Sequence, residues 1–144
     1  MITFISDKKG EYYPLILESL RAEGLIEDEL PLDMEERLFW VMLRGKEFIG
    51  FAGIYDHDSF LCVEYFWIKP DERSTKDKMY KKLLLFLQKK LRPYKGKIVV
   101  DVKRDGSFKY LFNFVKKTLG VDSYGKEGNS SFFLVDSDKN YENL

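Results

Sequence analysis

The stretch FLCVEYFWIKPDERSTKDK, Phe60 to Lys78, decides how this chain is read. Its first nine residues are apolar at odd and even positions alike, the pattern of a strand covered on both faces. Pro70 ends the strand, because proline has no N–H to give to a ladder. Ser74 with Asp77 three residues later predicts a capping box, with Asp in the place of Glu. A helix is then expected to Leu91. Tyr80, Leu84, Leu87 and Leu91 recur at helical spacing as a buried stripe, flanked by Leu83 and Phe86. Lys81, Lys82, Lys89 and Lys90 fall on the outer face, and Pro93 closes the helix. A strand that turns into a helix presents unpaired N–H groups at the positive end of the helix dipole, a natural seat for a phosphate. Such turns are usually rich in glycine. This one carries Lys76 and Lys78.

Upstream, residues 37–43 (RLFWVML) and 48–55 (FIGFAGIY) read as two strands joined by the hairpin turn Arg44-Gly45-Lys46-Glu47. Gly50 and Gly53 inside the second predict a bulge or a close backbone approach. Residues 1–6 read as a strand, and residues 13–23 as a helix with Pro14 in its first turn. Ile16, Leu17 and Leu20 share one face of that helix, and Gly24 stops it. The acidic stretch 25–36 has no clear period. Downstream, residues 96–102 read as a strand and residues 107–118 as a second amphipathic helix, with Phe108, Leu111, Phe112, Val115 and Leu119 inward and Gly120 as its cap. Strands at 121–124 and 131–135 are expected around the glycine-rich turn GKEGN. This order predicts an α+β fold with a mixed central sheet of about six to seven strands and helices on both faces. One domain spanning 1–136 and a polar tail at 137–144 are expected.

The composition fits a single core: 144 residues, 44% hydrophobic and 33% charged, with twelve Phe, nine Tyr and two Trp. A formal net charge of zero selects neither a nucleic-acid nor a membrane partner. The charge is uneven, however. Glu18 to Glu36 is mostly acidic, and Lys76 to Arg92 is basic with only Asp77 opposed. One cysteine excludes an internal disulfide and a cysteine zinc site, and one histidine leaves no histidine cluster, so no metal is expected. Asp7, Lys8, Lys9 and Glu11 interrupt any signal-peptide core, and no apolar run reaches the roughly 18 residues of a membrane span. A cytoplasmic location follows as the expectation, or the virion and host cytoplasm for a phage-encoded chain.

Four words of the sequence, in order and spacing, resemble the GNAT N-acetyltransferase superfamily. They are GKEFIGFAGIY, VEYFWIKPDER, LLLFLQKKL and FNFVKKTLGV. The resemblance implies acetyl-CoA in a gap beside the central strand, with Phe66, Trp67 and Ile68 pairing with the pantetheine arm. It implies a pyrophosphate on the turn that follows. The family's Q/R-x-x-G-x-G/A positions fall on Arg73, Ser74, Thr75, Lys76, Asp77 and Lys78. Arg73 is kept, and both glycine positions are lysine. Either the lysines serve an anion as point charges, or the cradle is weakened or lost. The resemblance also makes Glu64 a candidate general base, since it stands in an otherwise apolar strand. The alternative is a partly exposed Glu64 paired with a neighbouring lysine. The family's tyrosine proton donor falls on Lys116, with Tyr110 and Tyr124 as alternatives, and Asp105-Gly106-Ser107 stands where an asparagine is usual.

Other residues read more plainly. Cys62 is a core thiol rather than a nucleophile, and His57 lies in a turn between two aspartates rather than in a metal cage. Asp136 and Asp138 belong to the tail. Lys76, Lys78, Lys81 and Lys82 could track a nucleic-acid backbone, but Tyr80, the nearby stacking candidate, is on the buried stripe. Two functions therefore stand. One is acetyl-CoA-dependent acyl transfer to an amine or protein substrate. The other is a catalytically inactive GNAT-fold protein acting as a homo-oligomer or with a protein partner, as small degenerate domains of this type do among bacteriophage virion and morphogenesis proteins.

Overall fold

The computed structural model describes residues 1–24, 38–57, 60–73, 78–91, 97–103, 125–127 and 130–135. Strand β1 (Ile2–Ser6) leads through a turn in which the Asp7 carboxylate accepts the Tyr12 N–H at 3.2 Å. Helix α1 (Tyr13–Ala22) follows with Pro14 in its first turn, where the missing N–H costs no helix bond. Glu23 caps it, and Gly24 leaves the helix at φ +71°, a conformation glycine takes without strain.

Strands β2 (Leu38–Arg44), β3 (Glu47–His57) and β4 (Phe60–Ile68) form an antiparallel meander. Helix α2 (Met79–Leu91) then carries the chain across to β5 (Lys97–Lys103), which pairs in parallel with β4. Strands β6 (Gly125–Glu127) and β7 (Ser130–Val135) complete the sheet in the order β1-β2-β3-β4-β5-β7-β6. The expected α+β architecture with a mixed sheet is observed.

The last hairpin differs from its expectation. Glu127 pairs with Ser130, so only two residues separate the strands, and β6 occupies positions expected to be turn. The expected strand at 121–124, the second helix at 107–118 and the tail lie outside the described residues.

Pairing fixes which residues share a face. Phe4 opposite Met42 and Ser6 opposite Trp40 put Trp40 and Met42 on one face, and Phe39 and Val41 on the other. The Phe86 ring of α2 stacks on Phe4 at 4.1 Å and meets Trp40 edge-on at 5.1 Å. The Tyr13 ring of α1 packs against Phe39 at 6.3 Å on the opposite face. Among the described residues, α2 lies on one face and α1 on the other. The stripe of α2 is as the sequence indicates: Tyr80, Leu83, Leu84 and Leu87 are buried, while Lys82, Lys89 and Lys90 are exposed.

Candidate functional site

The site grows from an irregularity in β4. Phe51 of β3 pairs with Trp67, and Gly53 pairs with Glu64. Tyr65 and Phe66 therefore oppose Ala52 alone, which makes a bulge in β4. Tyr65 carries it at φ +56°, a left-handed conformation uncommon for a residue with a bulky side chain. A bulge bends its strand and sharpens its twist. The effect falls on the other edge of β4. Pairing with β5 runs from Phe60 opposite Lys97 to Val63 opposite Val100 and stops there. Beyond that point β4 continues to Ile68 and β5 to Lys103, whose pairing is with β7. The two parallel strands part at the bulge.

The side chains past the bulge are committed to the interior. Phe66, Trp67 and Ile68 are 2%, 5% and 0% exposed. Phe66 stacks on Tyr80 at 6.0 Å, while Trp67 stacks on Phe51 at 5.2 Å and Phe48 at 5.9 Å. The side chains of this stretch are therefore withdrawn into the core, and the Ile68 carbonyl accepts the Arg73 Nε–H. Gly50, opposite Ile68, allows the close approach of β3. A Cβ there would lie 2.8 Å from Ile68 Cδ1 and 2.9 Å from the Trp67 carbonyl oxygen.

Past Ile68 the chain makes a single 3-10 turn, Pro70–Glu72, tied down at several points. The Lys69 N–H donates to the Ile49 carbonyl at 2.9 Å. Arg44 makes a two-pronged pair with the Glu72 carboxylate, Nη2 to Oε2 at 2.9 Å and Nη1 to Oε1. Lys69 Nζ donates to Glu47 at 3.2 Å. That bond, helped by the charge of Asp71, raises the ammonium above its ordinary 10.5. Arg73 turns inward: Nε donates to the Ile68 carbonyl at 2.7 Å, and Nη2 donates to Glu23 Oε1 at the end of α1. The same Glu23 oxygen accepts Trp67 Nε1–H at 3.1 Å. The guanidinium carbon lies 5.9 Å from the Trp67 ring centroid.

Lys78 stands at φ +52°, and its carbonyl accepts the Lys82 N–H at 3.0 Å. Helix α2 therefore starts at Met79. Ser74 and Asp77, the expected capping box, lie outside the described residues. The second glycine position of the resemblance thus has the backbone conformation that glycine favours, with an exposed lysine on it.

The structure brings Phe66, Trp67, Ile68, Arg73 and Lys78 to the open end of β4 and the turn after it. Glu64 is placed by its pairing with Gly53, directly before the bulge. Its side chain, like those of Cys62 and His57, lies outside the description. Ser74, Thr75, Lys76, Asp77, Tyr110, Lys116, Tyr124, Asp136 and Asp138 lie outside the described residues. Among the described residues no three His, Cys, Asp or Glu side chains gather as a metal site, and no helix is long and apolar enough to cross a membrane. Two features of the site escaped the sequence reading. Glu23 is 50 positions from the arginine it pairs with, and Tyr65 is a bulge residue without the glycine that would have marked it.

No family model and no curated protein matches this chain. Solved structures do, over nearly its whole length. An acetyltransferase from Streptococcus agalactiae is 15% identical, with 93% of this chain and 98% of that one covered and a TM-score of 0.63. A GNAT-family acetyltransferase from Desulfovibrio desulfuricans is 9% identical, with coverage of 95% and 99% and a TM-score of 0.68. The PaiA N-acetyltransferase from Thermoplasma acidophilum, solved with coenzyme A, is 19% identical, with coverage of 87% and 70% and a TM-score of 0.53. At such identities the likeness establishes the fold, which is that of the GNAT acetyltransferases.

Proposed function

We propose that this chain, built on the GNAT acetyltransferase fold, binds acetyl-CoA along the open edge of β4 and passes the acyl group to an amine. The observation that carries this reading is the parting of β4 from β5 at Tyr65. Buried strands rarely leave ladder groups without partners, because an unpaired buried polar group costs free energy. An amide-bearing arm laid against Phe66–Ile68 would supply partners for main-chain groups there that β3 and Arg73 do not engage, and the side chains are already packed away from it. The turn before α2 would hold the pyrophosphate. There Lys76 and Lys78 act as point charges in place of glycine, and the conformation of Lys78 keeps a glycine-like path into the helix.

When bound, acetyl-CoA supplies an electrophilic thioester carbonyl. Glu64, one residue before the bulge, takes the proton of the incoming amine. Lys116 or Tyr124 returns a proton to the leaving sulfur. Replacing Glu64 by Gln is expected to lower a measured transfer rate by about 10²-fold. An unchanged rate would remove it from the mechanism.

Calorimetry of acetyl-CoA tests the reading first. Binding that weakens when Lys76 and Lys78 become alanine supports it, as does a gain of roughly 2.7 kcal/mol in stability at about 100 times the Kd. No binding at millimolar ligand overturns it. A second reading would then take its place, favoured by the lysines at both glycine positions. In it the chain keeps the fold without turnover and acts through its surface, as an oligomer or an assembly partner of the kind found in phage virions. Sedimentation showing only a monomer would count against that reading.

A further inference from the structure

Where β4 parts from β5, one side chain stands out from its neighbours. Val63, Phe66, Trp67 and Ile68 are at most 5% exposed. Among the described side chains from Val63 to Ile68, Tyr65 alone keeps partial exposure. It also packs against the core and makes a further interaction within the fold. Its backbone departs from strand geometry, since it shares the partner Ala52 with Phe66 and stands at φ +56°. A bulky residue is disfavoured in that conformation, where glycine or asparagine would serve the bulge at less cost. The position thus carries a large ring where the backbone by itself favours a small residue.

The proposed ligand path brackets this residue. The arm lies against Phe66–Ile68 and Glu64 takes the proton of the amine, so the thioester carbon falls beside Tyr65. Past that point the ladder between β4 and β5 is closed from Val63, opposite Val100. Only about 7 Å of strand, at roughly 3.3 Å per residue, separates Tyr65 from that closure. An acyl tail enters a short wedge between two converging strands. We infer that Tyr65 is the specificity-determining residue for the acyl group, and that its ring limits the tail to a short one such as acetyl. This inference rests on the acyl-CoA reading proposed above and deepens it.

The test is calorimetry of CoA, acetyl-CoA, butyryl-CoA and hexanoyl-CoA on the wild type, Tyr65→Gly and Tyr65→Phe. Tyr65→Gly removes the ring and suits the left-handed backbone. Tyr65→Phe keeps the ring and drops the hydroxyl. Because Tyr65 has other contacts in the fold, each acyl-CoA affinity is read as a ratio to that of CoA. A general loosening of the strand moves every ligand alike and leaves those ratios unchanged. The wild type is expected to bind acetyl-CoA about tenfold or more tighter than hexanoyl-CoA, with butyryl-CoA between them. Tyr65→Gly should bring acetyl-CoA and hexanoyl-CoA within about threefold of each other, and Tyr65→Phe should keep the wild-type ratio within about twofold. If Tyr65→Gly does not fold, Tyr65→Asn, also at ease in the left-handed region, takes its place.

Four results would overturn the inference. The first is equal binding of acetyl-CoA and hexanoyl-CoA by the wild type, since nothing would then limit the tail. The second is a wild-type ratio that persists in Tyr65→Gly, which would place the limit on another residue. The third is a ratio lost equally in Tyr65→Phe and Tyr65→Gly, which would assign the selection to the hydroxyl rather than the ring. Each of these leaves the proposed function standing. The fourth is no binding of CoA or any acyl-CoA by the wild type, which removes the inference and the proposed function together.

Discussion

From Phe60 to Val63, β4 is bonded to β3 on one side and β5 on the other; from Glu64 to Ile68 its strand partner is β3 alone. The first part is held by ladders on both edges. The second is held largely by its side chains: Phe66, Trp67 and Ile68 are buried, and Arg73 reaches back to the Ile68 carbonyl. The difference teaches how a sheet can open one edge of a strand without losing its shape. Apolar burial and a clamp replace one set of ladder bonds, and the bulge at Tyr65 marks where one regime gives way to the other.

Removing an anchor from the second part should have the largest effect. Phe66→Ala is expected to cost about 3–5 kcal/mol in urea unfolding, because it empties space under α2 against Tyr80. A loss below about 1 kcal/mol would mean that side chains do not hold this part, and the comparison would break.

Gly50→Ala is expected to cost about 1–3 kcal/mol, since the new Cβ would meet the Trp67 carbonyl, which a flexible side chain could avoid but backbone cannot. Unchanged stability would show that β3 and the end of β4 can separate freely. Lys78→Gly should act in the opposite direction. It removes a left-handed cost of roughly 1–2 kcal/mol and adds back part of it as backbone entropy, for a net gain of about 0.5–1 kcal/mol in thermal unfolding. A loss of stability would mean that the lysine side chain makes contacts worth more than its strain.

The smallest effect concerns Lys69 in the exposed rim of the turn. Its folded-state pKa lies above the ordinary 10.5, chiefly through the Glu47 bond. The associated stability is therefore fully present below the unfolded value and is lost as pH rises through the folded one. Glu47→Gln should move the Lys69 titration, followed by NMR at Nζ, back toward 10.5. No movement would assign the shift to Asp71 instead.

The elements carried by periodic side chains were legible before any coordinates. The helical stripe Tyr80, Leu83, Leu84 and Leu87, the doubly apolar strand at 60–68 and the stop at Gly24 are local patterns imposed by helix and strand geometry. Gly50 was marked as a close approach for the same reason, because a missing Cβ is visible in the sequence. The left-handed Lys78 just before α2 was not legible, because a lysine at φ +52° has no sequence signature. The short hairpin at Glu127 and Ser130 was misplaced because glycine-rich segments serve equally as turn or as edge strand.

The class of fold and the order of elements from β1 to β5 were legible in the residues, since each follows from residue types at short spacing. The tertiary structure settled that β4 parts from β5 at Tyr65, that the side chains of Phe66 to Ile68 are buried, and that Arg73 pairs with Glu23. Those three facts depend on partners far apart in the chain. Local periodicity carries no record of which distant residue a strand edge or a guanidinium will meet once the core has closed.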